Sequence, residues 1–415
     1  MMETGFIQAI SSKGIYRGAT GLALLLGLTL SMRPHAARGE WDGRIDRVAG
    51  QDRFVLWSAG PCKGSKYDAE YLDNTRAIFS YPDGRIEANP DSSRLLFGYE
   101  WQKSCYQIFD PRQASRRFFV MPHTIGGEAV STGPSSIIFY NAQVSAGIGN
   151  VTVSARSLEW GEGDDPYVVQ EKIILKEVPD KGLEFNSVSA LYDPAQDLVH
   201  LALVNRGYEM SLYQPAGVYY CQHNLSNGAV SDLSLLGNSN AAQLVMGPGG
   251  PVLVYVENTN AKRYENAQEY YNERWKEIVA EYQWEKKVPP PEGPDLLVIR
   301  ELKEGQWSPR RALTTTQANQ IDVIAVGPET YILGLERDPK TKTVSSISLT
   351  RVDAGGKVKS APLPLDQLAG NVYQPRMMMD SGNLSIYYGL DENGDPIKKV
   401  FKAAALEAML KPSQP

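Results

Sequence analysis

Four stretches of the sequence share one pattern, in which an apolar strand, a tight turn and a second apolar strand follow one another. The stretches are residues 189–204, 242–256, 321–335 and 375–388, and their turns begin at Asp193, Gly247, Gly327 and Asp380. A hairpin of this kind cannot bury its apolar faces alone, so repeated copies are expected to stack on one another. The pattern therefore predicts an all-β chain built from repeated units.

The spacing of these turns defines the length of the repeat. The gaps from Asp193 to Gly247 and from Gly327 to Asp380 are 54 and 53 residues. The gap between Gly247 and Gly327 is 80 residues, but 27 of them, residues 261–287, form a segment of different character. Without that insertion 53 residues remain, which favours a regular repeat with one helical insertion.

Weaker copies and second hairpins extend the repeat over most of the chain. The weaker copies lie at residues 49–57, 89–97 and 133–140, which brings the predicted units to seven. Second hairpins are indicated by Asp83-Gly84, Asn227-Gly228, Glu304-Gly305 and Gly355-Gly356, because such pairs supply the positive φ angles of tight turns. Two hairpins make four strands, so residues 38–402 are predicted to form a β-propeller of seven four-stranded blades. Six or eight blades stay open, and a β-sandwich is the competing fold.

The two ends of the predicted propeller are expected to meet. The last unit has a third strand at residues 397–402, followed by a short helix at 403–410 within a C-terminal tail, 403–415. Residues 41–48 are predicted to supply the outer strand of this last unit. That pairing would close the ring and remove an exposed strand edge.

The first 37 residues have the features of an export signal. Lys13 and Arg17 precede an apolar run at residues 19–30, and small residues follow up to Ala37. A membrane anchor is the alternative, but the run is shorter than the roughly 20 residues that a spanning helix needs. We expect a Sec-type signal peptide over residues 1–37 and a periplasmic or extracellular protein without stable membrane insertion. The formal net charge of −6 argues against nucleic-acid binding, which relies on neutralising phosphates.

Export also makes disulfide formation possible for the three cysteines. Cys62 and Cys105 lie in neighbouring predicted units, and a bridge between them is expected to stabilise the fold by about 4 kcal/mol. Cys221 is then predicted to be a buried free thiol in a strand at residues 218–222. Three free buried thiols are the alternative.

Motifs for metals, cofactors and phosphate are not evident in the sequence. His200 alternates with apolar neighbours within residues 198–204, which is typical of a hydrogen-bonded strand residue rather than a metal ligand. The glycine-rich residues 247–250 lack the lysine and the serine or threonine of a phosphate-binding loop. The sequence therefore predicts no cofactor and no metal, and it identifies no catalytic residue.

The insertion at residues 261–287 is predicted to be an amphipathic helix. Its aromatic residues Tyr264, Tyr271, Trp275 and Tyr282 recur, together with Ile278, at spacings that place them on one helical face. This stripe either packs on the propeller itself, or the helix reaches a partner or covers the central channel. Tyr and Trp are favoured at binding surfaces.

The hairpin units of residues 41–402 resemble the exported bacterial propellers of the sialidase-like, BNR-repeat type. The Asp-box of that type reads roughly Ser/Thr-x-Asp-x-Gly-x-x-Trp, and residues 303–308 approach it with a shorter Gly-to-Trp spacing and no aspartate. The resemblance implies a propeller fold and a possible glycoside hydrolase activity. The arginine cluster, tyrosine nucleophile and acid/base aspartate of sialidases have no matching residues in this sequence.

Two functions of different classes are therefore compatible with the sequence. The first is a non-catalytic binding or scaffold protein for a protein or carbohydrate partner, which agrees with the missing catalytic signature and the aromatic insertion. The alternative is a carbohydrate-active enzyme, a sialidase-like glycoside hydrolase with its site at the mouth of the propeller channel. Whether the protein is an enzyme stays open at this point, since propellers host both functions.

Overall fold

A computed structural model describes fifteen segments of the chain, all within the compact unit Gly43–Pro415. They are residues 43–49, 53–58, 78–80, 86–88, 103–110, 115–122, 126–144, 151–162, 166–176, 185–205, 217–257, 295–337, 344–363, 375–390 and 396–410. The predicted signal peptide, Cys62 and the predicted insertion at 261–287 lie outside these residues. The predictions made for them, including the Cys62–Cys105 disulfide, stay predictions.

Sheet 1 is the largest sheet and contains two antiparallel four-stranded meanders. The first part of the chain forms β1 (Gly43–Ala49), β2 (Arg53–Ser58), β3 (Ile78–Ser80), β4 (Ile86–Ala88), β5 (Lys103–Asp110) and β6 (Ser115–Pro122). The next part forms β7 (Gly126–Gly133), β8 (Ser136–Val144), β9 (Val151–Glu159) and β10 (Tyr167–Lys176). The meanders β1-β2-β5-β6 and β7-β8-β9-β10 join where β1 and β7 run parallel for two residue pairs, and β3 and β4 form a separate hairpin.

Sheets 2 and 3 follow in chain order, and each begins with a long hairpin. Sheet 2 consists of β11 (Phe185–Asp193), β12 (Leu198–Asn205), β13 (Gly217–Asn224) and β14 (Ser234–Gly237). Sheet 3 consists of β15 (Ser239–Gly247), β16 (Gly250–Glu257), β17 (Asp295–Lys303), β18 (Gln306–Trp307) and β19 (Arg311–Thr316). Both β18 and β19 pair with β17.

Sheets 4 and 5 complete the described strands. Sheet 4 consists of β20 (Ala318–Val326), β21 (Glu329–Arg337), β22 (Val344–Val352) and β23 (Val358–Leu363). Sheet 5 consists of β24 (Arg376–Asp380), β25 (Asn383–Leu390) and β26 (Pro396–Phe401), and the helix α1 (Ala403–Met409) follows it. No helix among the described residues has the length and hydrophobicity needed to cross a membrane.

The apolar cores lie between neighbouring sheets and connect them in a closed circuit. One cluster joins the second meander of sheet 1 to sheet 2, and further clusters join sheets 2 to 3, 3 to 4, and 4 to 5. Leu56 of β2, Met378 of β24 and Tyr387 of β25 then pack together, which joins sheet 5 back to the first meander. Consecutive sheets that stack face to face and return to the first one form a β-propeller.

Strands in this arrangement bury both of their faces, which explains the continuous apolar runs in the sequence. In β12, Val199, Leu201 and Leu203 belong to the core shared with sheet 1, while Ala202 belongs to the core shared with sheet 3. An uninterrupted apolar run bounded by turns is the pattern expected of such a strand.

An inner belt of hydrogen bonds links β7, the first strand of the second meander, to the first strands of sheets 2 to 5 in turn. In each link, a side chain of one first strand accepts a hydrogen bond from a backbone N–H of the next. The links are Glu128 Oε2 to Ala190 N at 2.9 Å, Ser189 Oγ to Leu244 N at 3.0 Å, Gln243 Oε1 to Val323 N at 2.9 Å, and Asp322 Oδ2 to Met377 N at 2.6 Å. These four acceptors are buried, so the belt satisfies backbone donors that water does not reach.

Four of the predicted turns are confirmed, and those at residues 83–84 and 89 lie outside the described residues, but the predicted number of blades is wrong. The turns at Asp193, Gly247, Gly327 and Asp380 join the first two strands of sheets 2, 3, 4 and 5. The described residues form five sheets of three or more strands instead of seven blades. A count of turn motifs overestimates the number of blades, because each motif marks a hairpin and not a blade. The β1–β7 contact also lowers the number of sheets, because it merges two meanders into one.

The predicted closing strand is also corrected. Residues 43–49 form β1, which pairs antiparallel with β2 and parallel with β7, and not with a strand of sheet 5. Among the described strands, none is shared between the two chain ends, and side-chain packing joins sheet 5 to the first meander. The third strand and the helix predicted for the last unit are confirmed as β26 and α1.

Candidate functional site

A cavity of about 90 Å³ lies between sheets 3 and 4. Its hydroxyl-bearing lining consists of Thr314, Thr315, Thr316, Ser348, Thr350 and Ser360, its carboxylate belongs to Glu336, and Leu297, Ala318, Ile321, Ile332 and Gly334 complete the wall. A water molecule needs roughly 10–15 Å³ of such space, so the cavity admits a small polar molecule or one unit of a longer ligand.

Strand alternation places much of the polar lining on one face of sheet 4. Glu336 and Gly334 alternate along β21, and their partners on β22 are Ser346 and Ser348. Successive side chains of a strand point to opposite faces, so these residues share the face that contacts sheet 3. Thr350 continues the same face along β22.

Hydroxyl groups hold the one carboxylate of the cavity wall in place. Ser346 Oγ donates to Glu336 Oε2 at 2.7 Å, and Ser348 Oγ donates to Glu336 Oε1 at 3.2 Å. The hydroxyls of Thr350 and Ser360 lie 2.8 Å apart and form a second hydrogen-bonded pair. Among the described residues that line the cavity, Glu336 is the only ionisable one.

Gly334 keeps this part of the cavity open. A Cβ atom at position 334 would lie 3.0 Å from the Ser348 hydroxyl and 3.1 Å from the Ala318 Cβ. These distances are tighter than ordinary van der Waals contact, so any larger residue would displace the Ser348 side chain that contacts Glu336.

The opposite wall of the cavity comes from β17 and β19 of sheet 3. Leu297 of β17 lines the cavity and pairs with Thr314, while Asp295 pairs with Thr316 two residues away. Asp295 therefore lies on the same strand face as Leu297, at the edge of the cavity. Burial raises the pKa of the Asp295 carboxyl above its usual range.

The connection from β16 to β17 ends two residues before Leu297, which lines the cavity. It leaves sheet 3 after Glu257 and returns at Asp295, and it contains the predicted insertion. The four aromatic residues predicted to bind a partner, Tyr264, Tyr271, Trp275 and Tyr282, lie outside the described residues. Only the two ends of their segment are placed, at Glu257 of β16 and Asp295 of β17.

The histidines that the structure describes are core residues. His200 Nδ1 lies 2.7 Å from the Tyr220 hydroxyl, and His223 Nδ1 lies 2.8 Å from the Tyr140 hydroxyl. The prediction that His200 is a hydrogen-bonded strand residue is confirmed. Cys221 is a buried free thiol, and burial raises its pKa to about 12, which keeps it protonated and unreactive.

We expect the stability of the protein to fall as the pH drops from about 6.5 to 4, in part because of His223. Burial, together with the nearby Lys172, lowers the pKa of His223 to about 4, whereas an exposed histidine in the unfolded chain has a pKa near 6.5. The unfolded state thus takes up a proton that the folded state does not accept, which favours unfolding by about 2–3 kcal/mol at pH 4. The measurement is the free energy of unfolding by urea at several pH values.

The matched variant is His223→Gln, which keeps a hydrogen-bonding group near Tyr140 but does not titrate. Its stability should decline less than that of the wild type over the same pH interval. If the free energy of unfolding falls equally with pH in the two proteins, His223 is not the group that causes the loss of stability.

Comparisons with known proteins place the chain in no family. No protein-family model matches it, and no curated protein matches it. Solved structures with a similar arrangement include the hydrazine synthase of Kuenenia stuttgartiensis, with 13% identity, 81% of this chain and 79% of that chain covered, and a TM-score of 0.43. The α-L-arabinanase of Penicillium chrysogenum in complex with arabinobiose has 9% identity and a TM-score of 0.44. The match covers 80% of this chain and 94% of the arabinanase. The β-propeller domain of the Trilobed protease from Pyrococcus furiosus has 11% identity and a TM-score of 0.37. The match covers 87% of this chain and 81% of that domain.

Similarity at these identities and superposition scores assigns neither a family nor an activity. The candidate site therefore depends on the residues of the cavity themselves. Sequence reasoning did not identify these residues, because Thr314–Thr316, Glu336 and Ser348 belong to three strands that only the fold brings together. The sequence pattern that indicates such a site is a strand with polar residues at alternate positions and apolar residues at the others.

Proposed function

We propose that the protein binds carbohydrate, with one sugar unit held in the cavity between sheets 3 and 4. The observation that supports this function is the lining, which combines six hydroxyl-bearing side chains with one carboxylate. Sugar hydroxyls both donate and accept hydrogen bonds, and serine, threonine and carboxylate groups are suitable partners for both roles. Leu297 and Ile332 supply apolar surface for the C–H groups of a sugar ring, as is usual in small-molecule sites.

The proposal includes export of the protein. The sequence of residues 1–37 has the features of a Sec-type signal peptide, and cleavage after Ala37 would release the mature chain into the periplasm or the medium. Glycans of the cell envelope or the surroundings are available as ligands there. Protein and nucleic acid are not needed as partners for this function.

We expect the mature protein, residues 38–415, to bind members of a glycan array and to lose affinity when the cavity is altered. Glu336→Gln removes the charge and one acceptor oxygen, and Thr350→Val removes a hydroxyl, each at nearly constant volume. A hydrogen bond to a charged group contributes about 1.5–3 kcal/mol, so Glu336→Gln should raise Kd roughly tenfold or more, whereas a neutral hydrogen bond contributes about 0.5–1.5 kcal/mol, so Thr350→Val should raise Kd roughly two- to tenfold. Isothermal titration calorimetry with the glycans that bind on the array measures the change.

The control for these variants is Thr132→Val, which removes an exposed hydroxyl from the β7–β8 hairpin of sheet 1. It should leave the affinity unchanged, and all three variants should melt within a few degrees of the wild type. An array without any bound glycan, or unchanged affinity in both cavity variants, would contradict carbohydrate binding at this site.

The insertion is proposed to take part in partner binding through its aromatic stripe. We expect the double variant Tyr271→Ala and Trp275→Ala to weaken ligand binding while the melting temperature stays near that of the wild type. The proposal is motivated by the end of the segment at Asp295, which pairs with Thr316 of the cavity lining. A fall in melting temperature without any change in binding would instead identify the stripe as packing on the protein's own surface.

A further inference from the structure

One outer edge of sheet 1 is the strand β10, which is ten residues long. It stands at the end of the strand order and pairs with β9, and no other described strand pairs with it. The outer strands β14, β19, β23 and β26 of the other sheets have only four to six residues. An edge strand presents backbone N–H and C=O groups that are able to pair with a further strand, and a long edge presents more of them.

Large apolar side chains are concentrated on this edge. Tyr167, Val168, Val169 and Ile173 are between 41% and 58% exposed, and all four lie within seven positions of the chain. The shorter outer strands β14 and β26 carry one and two exposed large apolar residues. Soluble proteins usually protect an edge with charged residues or cover it with another element. The composition of β10 therefore favours a strand that pairs with a partner.

The pairing with β9 shows on which face of the sheet the side chains of β10 lie. Val168 pairs with Leu158 of β9, which belongs to the core between the two meanders. Ile173 pairs with Ser154, four residues before Leu158, so Val168 and Ile173 share this face. Two irregularities of the register flank the stretch 170–173, which itself pairs regularly with β9.

We propose that β10 pairs antiparallel with β10 of a second copy of this chain, about a twofold axis at Glu171. In this register Val168 and the irregular residue Val169 lie opposite the partner's Ile173, and the symmetry repeats the contact on the other side of the axis. Residues that lie opposite each other in such a pair share one face, as Val168 and Ile173 do. The interface is therefore isologous and joins apolar side chains that are exposed in the single chain.

Charges favour this register over its neighbours. A shift by one step in either direction keeps the faces matched but moves Glu171 opposite the partner's Ile173 or the partner's Val168, so a charge would oppose an apolar side chain. In the proposed register the two copies of Glu171 meet at the axis, and Arg156 Nη2 lies 2.5 Å from Glu171 Oε1. Each glutamate thus brings its own counterion, which offsets the repulsion between like charges.

The next pair in the register also contains no like charges. Gln170 lies opposite the partner's Lys172, and both side chains are on the face toward sheet 2, since Lys172 pairs with the core residue Ala155 of β9. Lys172 Nζ donates a hydrogen bond to the Gly228 carbonyl oxygen at 2.6 Å. Its charge is therefore directed toward sheet 2. This inference does not depend on the proposed carbohydrate binding.

The first test is the mass of the mature protein in sedimentation equilibrium over a range of concentrations. Two paired strands bury less than the roughly 1,200 Å² of a standard interface, so a dimer with a Kd on the order of 1–100 μM is expected. Val168→Lys combined with Ile173→Lys should raise this Kd roughly tenfold or more, because it removes apolar contacts and places like charges opposite each other.

A charge swap tests the register itself. Val168→Lys combined with Ile173→Glu should restore the dimer relative to the double lysine variant, because each introduced lysine then opposes an introduced glutamate of the second copy. The matched control is Leu235→Lys combined with Val400→Lys, which changes exposed apolar residues of β14 and β26 and should keep the wild-type Kd. Circular dichroism and thermal melting should show all three variants folded, since the altered residues are exposed.

Cross-linking gives an independent readout of the same register. Residues directly opposite on paired strands have Cβ atoms about 4.5–5.5 Å apart, close to disulfide distance, whereas positions 168 and 173 of one strand are far too distant to bridge. Val168→Cys combined with Ile173→Cys should therefore form a disulfide-linked dimer under mild oxidation. Either single cysteine variant should not, because neither position meets its own copy.

A protein that stays monomeric up to about 1 mM would overturn the proposal. A dimer that persists unchanged in the double lysine variant would show that the copies meet elsewhere. A charge swap that does not restore the dimer, or single cysteine variants that cross-link as well as the pair, would overturn the register centred at Glu171.

Discussion

Replacement of Glu128 by alanine is expected to destabilise the folded protein by about 3 kcal/mol or more. Glu128 is only 2% exposed, and it accepts hydrogen bonds from Ser189 Oγ at 2.6 Å, Ala190 N at 2.9 Å and Gln243 Nε2 at 3.2 Å. The variant removes this shared acceptor from three donors of sheets 2 and 3. A buried donor that loses its partner costs about 1–3 kcal/mol, so the combined effect is large.

Urea unfolding followed by fluorescence measures the change as a shift of the midpoint. Glu128→Gln keeps the size and one acceptor oxygen of the side chain, so an intermediate loss is expected. Glu159→Ala is the control, because this glutamate of the same sheet is exposed and surface substitutions usually change stability by less than 0.5 kcal/mol. A Glu128→Ala protein as stable as this control would show that the inner belt contributes little.

Replacement of Asp322 by alanine is expected to cost about 3–5 kcal/mol. Asp322 is fully buried in β20 and accepts a hydrogen bond from Met377 N at 2.6 Å. It also forms an ion pair with Arg376, whose Nη1 lies 3.3 Å away and whose side chain is 10% exposed. Removal of one member of a buried ion pair is strongly destabilising, since the remaining charge keeps its desolvation penalty.

The partner variant Arg376→Met distinguishes the ion pair from the backbone hydrogen bond. Asp322→Ala combined with Arg376→Met should be more stable than the sum of the two single losses predicts, because neither charge is then left behind. The difference in unfolding free energy over this double-mutant cycle gives the coupling of the pair. A coupling near zero would assign the effect of Asp322 to the Met377 contact alone.

The parts of the fold that could be predicted are those set by local chemistry. Gly327 and Gly382 adopt positive φ angles of 57° and 77° in the turns of sheets 4 and 5, as tight hairpins demand. Such turns, and the apolar runs beside them, are visible in the sequence without knowledge of the tertiary structure. The first three strands of sheets 2 to 5 are therefore predicted close to their actual positions, whereas β14, β18, β19 and β23 are not.

The number and grouping of the units depends on contacts between distant residues, which the repeat alone does not determine. The parallel contact of β1 with β7 pairs Val48 with Ala129, 81 positions apart in the chain. A turn motif carries no information about such a partner. The prediction for the strand that closes the ring is wrong for the same reason. The apolar pattern of residues 43–49 is compatible with pairing to β2 and β7 as well as with an outer position in sheet 5.

The candidate site was less predictable than the fold. Thr316 of β19, Glu336 of β21 and Ser348 of β22 line the cavity, and none of them belongs to a recognisable motif. Ala318, which pairs with Glu336, lies two positions after Thr316. Only the fold, therefore, distinguishes Glu336 from the exposed carboxylates of the described residues.

The inner belt also has a consequence for how such a protein diversifies by recombination. Each link has its acceptor in one sheet and its donor in the next, so a transplanted sheet brings an acceptor whose donor belongs to the host. The donor is always a backbone N–H, which every residue except proline provides, whereas the acceptors Glu128, Ser189, Gln243 and Asp322 all differ. A unit is therefore exchangeable when its first strand carries a buried side-chain acceptor that reaches the backbone N–H of the next sheet. Sequence identity between units can then be lost while the order of the units is kept.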